Sequence, residues 1–156
     1  MTIPPLAEVP VRSSLALTRR WAALFSPLFF DSRSLWLTWL GPDGRQAPAL
    51  LPVDDVPARP DHRLLRGLLD LHDGVTSGQL EGGHLAMALC RPGPPVEDAE
   101  DTDWVFALHD LFDEQIDGTW SLHLAAGGRV EPLVEAPNFF AALGWATAGV
   151  TGRSAR

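Results

Sequence analysis

Residues 82–134, GGHLAMALCRPGPPVEDAEDTDWVFALHDLFDEQIDGTWSLHLAAGGRVEPLV, decide the fold. They read as strand, Pro-rich elbow, acidic helix, strand. His84–Cys90 is a short apolar run bounded by glycine and proline, the pattern of a covered strand. Arg91-Pro92-Gly93-Pro94-Pro95 can continue neither a ladder nor a helix, so the chain must turn there. Trp104, Val105, Leu108, Leu111 and Phe112 then recur at helical spacing. They predict a helix over 103–115, capped by Asp101 or Thr102, with the preceding acids suited to the positive end of its dipole. A strand over 120–125, a Gly127-Gly128 turn and a strand over 130–134 follow.

Outward from this stretch the pattern continues. Leu15, Leu17, Trp21, Leu24 and Phe25 predict an N-terminal helix, with Ser13 or Ser14 as its cap and Pro27 as its end. Ser34–Leu40 is apolar at alternate positions on both sides (Leu35, Leu37, Trp39 against Trp36, Leu40), so this strand should be covered on both faces. Gly41-Pro42-Asp43-Gly44 is a turn, and 46–53 returns as an edge strand carrying Pro48 and Pro52. Asp61 caps a helix through Asp73 with Leu64, Leu65, Leu68, Leu69 and His72 on one stripe, followed by a Gly-rich connection over 74–83. A short helix over 138–148 ends the series. The order α-β-β-α-β-α-β-β-α predicts an α/β (α+β) three-layer domain, a mixed sheet of about five strands flanked by helices. The expected organisation is an N-terminal arm over 1–12, one globular domain over 13–148 and a tail over 149–156.

Composition narrows the function classes. At 156 residues one core can form without staples. The formal charge of −8 argues against nucleic acid as partner, because phosphate binding needs clustered cations. All twelve basic residues are arginine, and the absence of lysine removes Schiff-base chemistry and a P-loop lysine. Tyrosine, another acid or base, is also absent. The single cysteine, Cys90, can form no intrachain disulfide. Residues 1–11 lack the form of a signal peptide, and no apolar run approaches the ~18 residues of a membrane span. A cytoplasmic protein with no membrane partner is expected.

The residues that could carry chemistry are few. The five histidines form no HxH or HExxH pattern, and there is no CxxC. His84 and Cys90 share a strand face, and His123 stands on a candidate neighbouring strand, so these three form the candidate metal or reactive cluster. The plainer reading makes them hydrogen-bonded histidines and a buried apolar thiol. Arg91 next to Cys90 would lower the thiol pKa if that group were reactive. Residues 97–117 hold nine carboxylates and no Arg or Lys. They read as a solvated acidic face, or as a docking surface for a basic partner built on Asp98, Asp101 and Asp103. Trp21 and Trp104 fall on helix stripes and belong to the core, and at least one of Trp36 and Trp39 is a candidate for an interface. Trp145 is the candidate exposed anchor.

The elbow and its flanks resemble the JAB/MPN domain of RadC-type proteins. There a strand enters a His-x-His-Pro turn, then a Ser- and Pro-containing loop, then a helix that starts on an aspartate and leads to a strand ending in a Gly turn. Pro92 matches the turn proline, Gly93-Pro94-Pro95 the loop, and Asp101 or Asp103 the aspartate. Leu89 and Arg91 stand where the family has its two metal-binding histidines, and Ala99 stands near the family serine. The first strand and its hairpin contain no glutamate to act as base. The resemblance therefore implies a metal-free, catalytically inert JAB-like domain with no cofactor, an interaction or scaffold module pairing with a protein partner or with itself. The alternatives are a hydrolase with an unconventional site on His84, Cys90, Arg91 and His123, and a small-molecule-sensing domain with an apolar pocket beside the tryptophans.

Overall fold

β3 (His84–Cys90) is buried at all seven positions, as a strand flanked by neighbours and covered on both faces must be. The computed structural model describes residues 10–77, 83–116 and 119–135. The expected helix over 138–148, the tail and Trp145 lie outside the described residues. Antiparallel β1 (Ser34–Leu40) and parallel β4 (Thr119–Ala126) flank β3. β2 (Gln46–Asp54) and β5 (Arg129–Val134) pair antiparallel at the outside, giving the order β2-β1-β3-β4-β5. This is the expected mixed five-stranded sheet. Both edge strands carry proline: Pro48 and Pro52 in β2, Pro132 in β5.

Among the described residues three helices cover the sheet. α1 (Ser14–Leu24) starts on Ser13, whose hydroxyl accepts the Ala16 N–H at 3.0 Å. It packs Leu17, Trp21 and Phe25 onto the face formed by Leu40, Ala86, Ala88, Cys90 and Ala125. Those small side chains leave room for the stacked Trp21 and Phe25 rings, with centroids 5.2 Å apart. α2 (His62–Thr76) and α3 (Ala99–Phe112) cover the other face, where Leu35, Leu37, Trp39, Leu85, Met87 and Leu89 join one core with Leu68, Trp104 and Leu108. Trp39 donates to His72 Nδ1 at 3.1 Å and is wholly buried, so it forms no interface. Half-buried Trp36 packs edge-on against Phe25.

The expected boundaries change in several places, the end of α3 at Phe112 rather than residue 115 among them. α2 is capped by Asp61 as read, but it runs on through Gly74, Val75 and Thr76. Val75 packs against the core, which offsets the low helix propensity of Gly74. α3 begins four residues before the expected start and is capped by Asp98, since Asp101 belongs inside the first turn. Val11, assigned to the N-terminal arm, is 1% exposed and donates its N–H to Gly44 O at 2.7 Å. Packing therefore extends N-terminal of Ser13.

Gly44 holds that contact at φ +85, and a Cβ there would lie 2.6 Å from Val11 O. Gly44→Ala should destabilise the fold by about 1–3 kcal/mol, through the left-handed backbone and the lost approach of Val11. The midpoint of urea unfolding checks this, and an unchanged midpoint would show that residues 10–12 add nothing to the fold.

Candidate functional site

The elbow is built around one guanidinium. Strand period carries Leu89 and Arg91 to the face covered by α3. Leu89 is fully buried in the core there, and Arg91, 3% exposed, reaches the first turn of α3. Its Nε donates to Asp101 Oδ1 at 2.9 Å and its Nη2 to Asp101 Oδ2 at 2.6 Å. Nη1 donates to the carbonyls of Pro92 (2.9 Å) and Pro94 (3.2 Å), and Nη2 also donates to that of Val96 (2.9 Å). All five N–H donors of the guanidinium are thus engaged. The prolines explain the wrap, since a segment poor in N–H groups offers carbonyls without needing acceptors of its own.

Asp101 has no exposed surface. Besides Arg91 it accepts the Asp98 N–H at 3.0 Å, while Asp98 Oδ1 accepts the Asp101 N–H at 2.8 Å, closing a capping box. Arg33, just before β1, binds Glu100 at 2.8 Å and brings Nη1 within 3.9 Å of Asp101. The hydrogen bond that Arg91 donates to Asp101 raises the Arg91 pKa further above its ordinary range, against an opposing desolvation. For Asp98, desolvation pushes its carboxyl pKa up, but the Asp101 amide and the Arg91 charge outweigh it and hold it below the usual value. Gly127, in the two-residue β4–β5 turn, seals the elbow from the side: a Cβ there would meet Pro95 Cδ at 2.7 Å. The five residues that the resemblance assigns to the site thus divide. Leu89 is core, the Pro92 carbonyl accepts from Arg91 within the wrap, and Arg91 and Asp101 are joined. Asp103 stands outside on the surface, 3.4 Å from Arg59.

The docking surface read from the carboxylates loses a member. Asp101 is the counter-ion of Arg91, and Asp98 is a helix cap with its side chain 48% exposed. Only Asp103 of the three stands free of a capping role. Arg33 escaped the sequence reading, because only the pairing of Ser34 with Cys90 places it beside the elbow.

His84, Cys90 and His123 do share the α1 face of the sheet, but they do not converge. His84 and Cys90 are the ends of one strand, about 20 Å apart at strand rise. His84 binds Thr119 Oγ1 (2.7 Å) and Ser121 Oγ (2.8 Å) through its two ring nitrogens. His123 Nε2 lies 2.8 Å from Thr18 Oγ1, which also lies 3.1 Å from Ser14 O. The buried Nδ1 of His123 has no hydrogen-bond partner. Among the described residues no three His, Cys, Asp or Glu side chains form a cation site. Arg91 does not activate Cys90: burial, only partly opposed by the Ser34 hydrogen bond, pushes the thiol up to about 12.

Two measurements follow. Arg91→Met should cost about 3–5 kcal/mol by stranding the Asp101 carboxylate, and Arg91→Lys should not restore it, lacking the planar fork. The Arg91→Met/Asp101→Leu double variant should lose less than the two single losses combined, a coupling that urea unfolding resolves. The histidines give the protein an acid limit. Burial lowers His84 to about 3, helped by the nearby His123, and burial lowers His123 to about 4. Below its ordinary value of 6.5 each is protonated in the unfolded chain but neutral in the fold. Their contribution to stability is complete above that value. It is lost as the pH falls toward the folded values, by about 1.4 kcal/mol per pH unit for each. Melting temperatures between about pH 7 and pH 5 should fall more steeply than those of a His84→Gln/His123→Gln variant.

Compared with protein-family models, with curated proteins and with solved structures, the chain has no match, and its chemistry rests on this geometry.

Proposed function

We propose that this chain is a catalytically inert, JAB-like domain that works as a protein-interaction or scaffold module, alone with a partner protein or as a homodimer. The observation that carries the reading is the guanidinium of Arg91 inside the elbow. The resemblance places a metal-binding side chain at position 91. Here that position brings its own fixed positive charge, bound to Asp101 with every donor engaged. A divalent cation entering beside it would meet electrostatic repulsion, and the Asp101 carboxylate is already taken by the guanidinium.

The order of parts also supports the reading. β3 leads into a proline turn, the loop folds back to an aspartate in the first turn of α3, and β4 ends in the Gly127-Gly128 turn. Burial of the Cys90 thiol, which pushes its pKa up to about 12, weighs against the alternative hydrolase. Among the described residues no helix is long and apolar enough to cross a membrane.

Metal content tests the proposal. Protein purified without chelator should carry less than about a tenth of an equivalent of zinc by mass spectrometry. Near-stoichiometric zinc would overturn it.

A further inference from the structure

The β2–α2 connection and α2 enclose a groove of about 440 Å³, within the range of ligand-binding clefts. Its floor is Val53, Val56, Leu64, Leu68 and Leu71. Its polar members, Asp54, Asp55, Asp61 and Arg63, are all exposed and stand at the rim, three carboxylates against one guanidinium. The walls are held in place: the Val56 N–H donates to Arg33 O at 3.1 Å, and Trp104 Nε1 donates to Pro57 O at 3.2 Å.

Gly67 also lines this groove. It sits in the middle of α2, where glycine is less favourable than alanine by about 0.5–1 kcal/mol. A Cβ at Gly67 would meet nothing within 4 Å. The protein's own packing therefore gives no reason for the glycine. It leaves a strip of bare helix backbone open to whatever enters the groove. Gly74, in the last turn of the same helix, also has open space around it but does not line the groove.

We infer that this groove docks a segment of a partner protein bearing an aliphatic or aromatic anchor next to Arg or Lys. The inference rests on the reading of the chain as an interaction module and supplies the chemistry of its partner. The anchor enters over Gly67 onto the leucines, and the basic flank meets Asp54 and Asp55. Polar groups confined to the rim suit an apolar anchor with charged neighbours, whereas a small-molecule site needs polar groups converging inside. The chain's charge of −8 favours the approach of a basic segment.

A phage-displayed library of random peptides, panned against the intact immobilised protein, tests this. Enriched peptides should combine an apolar anchor with Arg or Lys. Their synthetic forms, titrated by fluorescence anisotropy, should bind about tenfold more weakly to Gly67→Leu and to Asp54→Lys/Asp55→Lys. Binding to Gly74→Ala should equal the parent, and Gly67→Ala, which keeps helix propensity high, should weaken binding while raising the melting temperature. Failure of any peptide to enrich above the Gly67→Leu bait would overturn the inference, as would affinities that Gly67→Leu and Gly67→Ala leave unchanged. Zinc content of the same preparation separates the two readings. A metal-free protein with no groove-dependent peptide loses only the groove, whereas a zinc-loaded one loses the inert-module reading itself.

Discussion

Arg91 and Asp101 are both withdrawn from water, and the whole upper end of the sheet follows from their pairing. A buried charge is tolerated only if an opposite charge and hydrogen bonds replace its hydration. Here the replacement comes from four directions. The helix start provides the carboxylate, the proline wrap provides carbonyls, the loop before β1 brings a second guanidinium, and the β4–β5 turn closes from the side. One strand end, one helix start and two loops are thus held by a single ion pair.

Beneath α1 the fold buries polar groups in another way. His84 and His123 are neutral imidazoles met by the hydroxyls of Thr119, Ser121 and Thr18, and no carboxylate pairs with either ring in these contacts. A neutral imidazole needs less compensation than an ion, so the fold tolerates hydroxyl contacts here, and even a buried His123 Nδ1 without a hydrogen-bond partner, where the elbow needs a carboxylate and three carbonyls. The two faces of one sheet therefore differ in kind. The α2–α3 face packs large aliphatic and aromatic side chains, whereas the α1 face combines alanines with hydroxyl-bonded histidines.

Much of this was legible from residue periods. Ser34–Leu40 and His84–Cys90 have the predicted bounds, because apolar runs set off by Gly and Pro admit few registers. The mixed sheet follows from hairpins at both ends and a helix between two strands. The start of α3 was misread for a local reason: several acids in a row can each cap a helix, and the reciprocal bond between Asp98 and Asp101 appears only when both backbones are placed. The acidic surface was misread because a one-letter charge does not show which carboxylate turns inward. Asp101 turns inward because Arg91, ten residues earlier and directly after the central strand, reaches into the first turn of α3. The cluster of His84, Cys90 and His123 illustrates the limit of face arguments. A shared face is necessary for convergence, but six residues of strand rise keep two of its members apart.

The prolines of the two edge strands have a consequence for assembly. Proline has no N–H, and in an edge strand its nitrogen side faces outward. A strand laid along β2 would meet Pro48 and Pro52, and one laid along β5 would meet Pro132. Among the described residues neither border of the sheet offers an unbroken row of donors, which disfavours the joining of copies into one continuous sheet. The prolines thereby favour contacts made by side chains from helices and loops, a mode that chooses its partner by shape and charge rather than by the common chemistry of the backbone.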